Sequence, residues 1–347
     1  MSLTVLRQHA LQLSFCISTR NRGNLIGATL DSILNQATPE CEVVVVDGAS
    51  TDDTEHVVGA FTERHKNVRY FKQKTNGGVD GDFDRAVELA SGEYCWLLPD
   101  DDLLKPGAIK AILDAIQEGY FLVLINREHR DATTSRVLVP SLLEMEKDRV
   151  FSPNEVGELF QKCWMLLTYV GCFVIRRQIW LARDRRRYYG CDFIHVGVIF
   201  QEPISQDVLV IATPLISLRI GNQIWLSRSF EIWMISWPSL VLSLALPDSA
   251  KSAAILSRRE WKSFLMLLGY RAQAVYSLAE YRRYIRPRLT HSFERIVPIL
   301  VAVIPGVIAN TYCILRHVFF GQKKWRASEL SFLRRSPVCC RLWRITE

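Results

Sequence analysis

The chain has 347 residues, enough for one large domain or two with a sizeable core. With 49% hydrophobic and 23% charged residues and no low-complexity tract, the composition is globular. The net charge of +7 is unevenly spread: residues 251–347 carry 18 Lys and Arg against 5 acids, or +13, which leaves −6 for residues 1–250. A basic tail wants an anionic partner, either a phospholipid surface or nucleic acid. The nine cysteines form no CxxC pair, and Cys16, Cys95 and Cys172 lie in apolar runs. That pattern reads as reduced core thiols, with Cys339-Cys340 as ordinary free thiols. Met1 to Gln12 holds no apolar run, so no signal peptide is expected.

Strand and helix signals alternate from the start. Leu13–Ile17 reads as a strand, Asn24–Asn35 as an amphipathic helix, and Glu42–Val46 as a β-branched strand buried on both faces. Asp47-Gly48-Ala49-Ser50-Thr51-Asp52 is turn chemistry, and Asp53–Phe61 the next helix. Val68–Phe71 is a short strand, Asp80–Ala90 a helix stopped by Ser91-Gly92, and Tyr94–Leu98 an apolar strand ended by Pro99. A helix over about 106–118 and a strand at Phe121–Ile125 come next. This β-α-β-α order predicts an α/β fold with a doubly wound, mostly parallel, Rossmann-like sheet. Further on, Phe151–Leu167 reads as helical, while Tyr169–Ile175 and Val208–Ala212 read as strands. The boundary is expected near residue 222, between a domain at 10–222 and a helical, basic and apolar region at 223–347.

Ile296–Leu315 is 20 residues without a charge, long enough to cross a bilayer, but Pro298, Pro305, Gly306 and Asn310 interrupt it. Arg282, Arg283, Arg286, Arg288 and Arg295 lie before it, and Arg316, Lys323, Lys324 and Arg326 after it. Basic flanks on both sides favour a shallow hairpin or in-plane helix over a span. A peripheral or shallowly inserted attachment to an anionic membrane is therefore expected; a buried core helix is the alternative.

The chemistry concentrates at strand ends. Asp100-Asp101-Asp102 comes after the fourth strand, and clustered carboxylates are costly unless a cation or donors neutralise them. Two readings stand, a metal site or a solvated acidic turn. Ser18-Thr19-Arg20-Asn21-Arg22, Asp47–Asp52 and Asn76-Gly77-Gly78-Val79-Asp80 precede the triplet, and all fall on the rim where α/β sheets bind ligands.

With these blocks in this order the chain resembles the family 2 glycosyltransferases of GT-A fold, over about residues 12–222 and most specifically over Leu13–Gly107. Within that family, Asn76–Leu98 and Arg219-Ile220-Gly221-Asn222-Gln223-Ile224-Trp225 look like the abequosyltransferase group of O-antigen enzymes. The resemblance implies a metal-dependent enzyme. It would move a sugar, a dideoxyhexose by this likeness, from a nucleotide-diphospho-sugar to a polyprenyl-diphosphate-linked oligosaccharide at the cytoplasmic face of the plasma membrane. It places Thr19, Arg20, Asn21, Arg22, Asn76, Gly78 and Asp80 around the donor and Asp47 at the base edge. Arg20 stands where Tyr is common, its guanidinium suited to stacking on the base. Asp100 is implied at ribose or ion, Asp101 on Mg²⁺ or Mn²⁺, and Asp102 as a helix cap. Two departures are visible. Asp82-Phe83-Asp84 replaces a common Ala-Arg-Asn, leaving Asp80, Asp82 and Asp84 to a sugar, a cation or solvent. Where a Glu-Asp pair commonly supplies the base, the chain has Asp192 and Ile194-His195-Val196, so His195 or Asp192 is the candidate. An inactive scaffold of the same fold, or a nucleic-acid binder using the basic tail, are the competing readings; the long uncharged stretch argues for lipid over nucleic acid.

Overall fold

The computed structural model describes residues 11–256, 263–321 and 323–337; Met1–Ala10 and the Cys339-Cys340 pair lie outside them. The chain divides into two compact units. One comprises residues 1–128, 141–218 and 244–247, and the other comprises 129–140, 219–243 and 248–347.

The first unit opens with β1 (Leu13–Thr19), α1 (Gly23–Leu34), β2 (Cys41–Asp47), α2 (Thr54–Arg64), β3 (Val68–Lys72), α3 (Val79–Leu89) and β4 (Tyr94–Pro99). The β-branched and aromatic runs form the strands, and each is succeeded by a turn that starts a helix, as the sequence pattern requires. β1 pairs in parallel with β2 and with β4, and β2 with β3. Then come β5 (Leu103–Leu104), α4 (Ala108–Ile116), β6 (Leu122–Arg130), β7 (Val137–Val139), β8 (Arg149–Phe151), α5 (Val156–Leu167), β9 (Phe173–Arg176), α6 (Arg177–Leu181), α7 (Ile194–Phe200) and β10 (Val208–Arg219).

The strand order is β3-β2-β1-β4-β9-β6-β10-β5, with β8 on β10. Beyond β4 the directions mix: β9 runs antiparallel to β4 and to β6, and β10 antiparallel to β5 and β8, while β10 runs alongside β6 in the same direction, the Phe121 N–H bonding the Asp207 carbonyl at their starts and the Ile220 N–H the Arg130 carbonyl at their ends. The sheet is mixed rather than mostly parallel. Parallel neighbours need a crossover of a dozen or more residues, usually a helix, and the first four strands are connected that way, whereas β9 and the short β5 and β8 enter as antiparallel partners. The sequence reading also lacked β5, β7 and β8, which are two or three residues each.

Period-two alternation divides the core. Leu13, Phe15 and Ile17 of β1 join Ile26, Leu30 and Ile33 of α1, Val58 and Phe61 of α2, and Ala108 and Ile112 of α4 in one buried cluster. Helix α3 touches β1 and β2 but contributes nothing to that cluster, so it covers the other face. Trp96 is fully buried on β4, stacks at 5.3 Å on Phe15, and its indole N–H donates to the Gly171 carbonyl at 2.8 Å. A cavity of about 580 Å³ lies where β1 and β2 begin, lined among others by Glu42, Arg69 and Ser91. The buried Glu42 there accepts from Ser14 Oγ, the Ser91 N–H and Arg69, which makes it an anchor between β1, β2 and β3.

In the second unit, β7 pairs antiparallel with His129 and Arg130 at the end of β6. Its helices bury Phe230, Leu267, Tyr276, Val301, Ala309 and Cys313 together. The uncharged stretch is broken in two: the helical segments Ser292–Val303 and Gly306–Phe320 meet at a 92° bend around Ile304-Pro305, where proline removes an amide donor. Among the described residues no single helix is long and apolar enough to cross a membrane; only taken together do the two bent segments reach that length and composition. Asn310 is buried, and its amide donates to the carbonyls of Ala272 and Leu333 and to Ser336 Oγ.

Replacing Trp96 by Ala removes the largest side chain of the central sheet and its hydrogen bond, and should cost about 3–5 kcal/mol. Urea denaturation of the purified chain measures this; a loss below about 1 kcal/mol would show that the β1–β4 interior does not carry the stability assigned to it.

Candidate active site

Parallel pairing sets the rim. Thr19 lies opposite Asp47, and Ser18 opposite Pro99, so the residues after β1, β2 and β4 emerge side by side. The turn after β1 locks onto the turn after β2. Asn21, at φ +54°, donates its N–H to Ser50 Oγ at 2.8 Å, and its side-chain oxygen accepts from the Thr51 N–H at 2.8 Å. The Arg22 N–H donates to Thr54 Oγ1, and Asp52 accepts from the Gly23 and Thr54 N–H groups, which ties the starts of α1 and α2 together.

Asp47 is fully buried. One carboxylate oxygen accepts the Ser50 N–H at 2.7 Å, the other Tyr70 OH at 2.5 Å. Its visible work is to hold the 47–52 turn.

Asp100 and Asp101 share Arg22: Nε stands 3.7 Å from Asp100 and Nη2 3.5 Å from Asp101. Asp100 is pushed up to about 7, first by burial and then by the like charge of Asp101, with Arg22 pulling the other way. One guanidinium at such distances leaves the pair short of positive charge. Two carboxylates are also a sufficient protein contribution for a Mg²⁺ or Mn²⁺ that shares the oxygens of a diphosphate. Among the described residues no group of three or more His, Cys, Asp or Glu is placed to hold an ion alone. The donor set therefore fits an ion bound jointly with a diphosphate. Asp102 is not the helix cap the sequence suggested. Gly107, at φ +83°, stands before α4, and Asp102 is buried, accepting Tyr169 OH beneath a ring on which the Arg127 guanidinium stacks at 4.3 Å.

The three acids of α3 part company. Asp84 accepts from Trp180 Nε1 at 2.8 Å, Arg185 at 2.8 Å and Tyr189 OH at 2.6 Å. Asp80 accepts the N–H groups of Asp192 at 2.9 Å and Ile194 at 3.1 Å, capping the start of α7. Asp82 lies against Gly48 and is pushed up to about 6, by burial first, then by Asp47, with Arg20 opposing. All three are buried, so none forms a solvated helix face. Asn76 Oδ1 accepts the Gly78 N–H at 3.0 Å, and Gly78, at φ +87°, turns the chain into α3.

Residues 14–182 match the family model described as glycosyl transferase family 2. This segment is a family 2 glycosyl transferase domain. The chain is 26% identical over 223 residues to the abequosyltransferase RfbV of Salmonella typhimurium, an alignment covering 60% of this chain and 67% of that protein. It is 34% identical over 116 residues to the GalNAc(5)-diNAcBac-PP-undecaprenol beta-1,3-glucosyltransferase of Campylobacter jejuni, covering 33% of this chain and 38% of that one. Among solved structures, Staphylococcus aureus TarS 1–349 in complex with UDP has a similar fold: TM-score 0.57, 17% identity, 93% of this chain and 89% of that chain. The mannosyltransferase PcManGT from Pyrobaculum calidifontis, in complex with GDP-Man and Mn²⁺, aligns at TM-score 0.54 and 15% identity over 96% and 88%.

His195 lies in the interior of the transferase domain rather than open to a substrate. It is 2% exposed, its ring packs edge-on at 4.7 Å against Phe173, and Nε2 meets the Leu167 carbonyl at 3.0 Å. Burial holds it down at about 3, so the ring is neutral and structural. Asp192, half-buried at φ +65°, stands at the entrance to α7 with its backbone fastened by Asp80. Sequence reading missed Tyr70, Tyr169 and Tyr189, whose hydroxyls each meet a rim acid. No local signal marks them, because each partner is 23 or more residues away.

Asp80→Ala leaves the Asp192 and Ile194 N–H groups without their acceptor and should cost about 1–3 kcal/mol. Thermal or urea unfolding tests this; unchanged stability would mean that α7 starts without the Asp80 cap.

Proposed function

We propose that the chain transfers a sugar from a nucleoside-diphospho-sugar to a lipid-linked oligosaccharide in the assembly of a cell-surface polysaccharide of O-antigen type. The observation that carries this reading is the adjacent pair of carboxylates, Asp100 and Asp101, sharing Arg22 on the carboxyl rim of a family 2 domain. The likeness to an abequosyltransferase supports a dideoxyhexose as the sugar, and the likeness to a transferase named for a PP-undecaprenol saccharide supports a polyprenyl-diphosphate-linked acceptor.

In this mechanism Asp192 is the base. The acceptor hydroxyl oxygen bonds to the anomeric carbon as the bond from that carbon to the diphosphate oxygen breaks. The hydroxyl proton passes to the Asp192 carboxylate, and the nucleoside diphosphate leaves with the electron pair. One displacement gives inversion at the anomeric carbon. Asp101 and Asp100 would hold a Mg²⁺ or Mn²⁺, which when bound offsets charge on the departing diphosphate. Arg22 holds the two carboxylates side by side, and the Asn21–Thr51 lock fixes the turn that carries it.

Asp101→Asn should abolish metal-dependent transfer, and Asp192→Asn should lower kcat about 10²–10⁴-fold with donor KM little changed, both with native circular dichroism. Steady-state transfer and donor hydrolysis with added Mn²⁺ measure this. Wild-type-level activity of Asp101→Asn under a chelator defeats the metal role; near-normal kcat of Asp192→Asn defeats the base. A wild-type chain that neither turns over donor nor binds nucleotide is the inactive scaffold.

We also propose that the second unit docks on an anionic membrane at the cytoplasmic face, inserting shallowly. On the bent pair, Phe293, Leu300, Ile308, Phe319 and Phe320 are exposed, Ile308 by 61% and Phe320 by 84%, while Val301, Ala309 and Cys313 face the interior. An apolar ridge of this size beside Arg295 and Arg316 suits an interface with acidic headgroups. Flotation with vesicles should show the full chain bound to phosphatidylglycerol-containing bilayers, more weakly to neutral ones, and Phe319→Ser with Phe320→Ser should release it. Equal recovery of wild type and the double variant in the unbound fraction would rule the ridge out as an anchor.

A further inference from the structure

Once the partners of the rim acids are assigned, Asp82 remains. It is 3% exposed; burial, Asp47 and Arg20 act on its carboxylate without a hydrogen bond among the described residues, and its oxygens are not wholly shut off from solvent. Its neighbours on α3, Asp80 and Asp84, are each held by two or more donors. A buried carboxylate without a donor is costly, and a ligand that brings one relieves that cost.

The geometry says where such a ligand would sit. A Cβ at Gly48 would stand 2.5 Å from Asp82 Oδ2 and 3.5 Å from Asn76 Oδ1. Two acceptor oxygens thus gather over the turn at the end of β2. Asp47 beneath them is fully buried and already engaged by Ser50 and Tyr70. In the strand order β2 is two ladder steps from β4, roughly 10 Å from the Asp100-Asp101 turn at a spacing of about 4.8 Å per strand. That is the order of distance from the diphosphate of a nucleotide to the outer edge of its base.

We propose that Asp82 reads the nucleobase of the donor by accepting a hydrogen bond from an exocyclic amino group, and so selects an amino-bearing base over uracil. Uracil presents a carbonyl oxygen where cytosine presents an amine, and that oxygen would face the carboxylate acceptor to acceptor. A site built to hydrogen-bond one group strongly rejects the analogue that lacks it. The inference rests on the nucleotide-sugar reading above and adds the donor's base class to it.

Isothermal titration of the full chain with CDP, GDP, ADP and UDP, each with Mg²⁺, tests it. An amino-bearing nucleotide should bind at least about tenfold more tightly than UDP. Asp82→Ala should bring that ratio close to one, mainly by weakening the amino-bearing nucleotide, and the isosteric Asp82→Asn should lower it in a chain whose unliganded melting is checked in parallel. UDP as the tightest ligand overturns the assignment, as does a preference that survives in both variants; either outcome leaves the transferase reading standing. If wild type binds none of the four, the nucleotide-sugar reading itself fails. The wild-type ranking decides between these even if a variant does not fold.

Discussion

The parallel ladder of β2, β1 and β4 is the constraint on which the site depends. Parallel strands send all their carboxyl ends to one edge, and here the register sets Thr19 beside Asp47 and Ser18 beside Pro99. The residues at and just beyond these strand ends must crowd together on that edge. In this chain they are acidic, Asp47 closing β2 and Asp100 to Asp102 coming after β4. Each negative charge must then find a donor, share a cation or be left for a ligand.

The acids sort along that line. Asp47, Asp52, Asp80, Asp84 and Asp102 take backbone amides, tyrosine hydroxyls, an indole or a guanidinium from elsewhere in the unit, and these bonds fix the turns that form the rim. Asp100 and Asp101 share one guanidinium at 3.5 to 3.7 Å, Asp100 with Thr19 and the Arg20 backbone also beside it, and Asp82 has the field of Arg20 without a bond. The first group fixes the turns; the second is the group that the proposed donor would meet.

The alternation of β-branched runs and amphipathic segments up to residue 125 was legible in the sequence because each element there is long and periodic, and the strand-end blocks pointed to the rim for the same reason. The illegible parts depended on distant partners. Asp84 looks like any helix acid until Trp180, Arg185 and Tyr189 arrive from about a hundred residues on. His195 looks like a base in an apolar segment, yet the helix α7 turns it toward Phe173 and the Leu167 carbonyl. Asp102 resembles a cap by proximity to a helix, but Gly107 makes the turn and Tyr169 claims the acid. The mixed sheet was hidden because antiparallel returns such as β5 and β8 are too short to leave a periodic signal.

Helix geometry explains why three acids in five positions of α3 have different fates. Positions four apart share a helix face, while a position two away points nearly opposite. Asp80 and Asp84 therefore look together toward residues 180–194, where one holds the entrance of α7 and the other gathers Trp180, Arg185 and Tyr189. Asp82 looks the other way, onto Gly48 at the end of β2. One short helix thus presents one face to the segment carrying Asp192 and the other to the turn after β2.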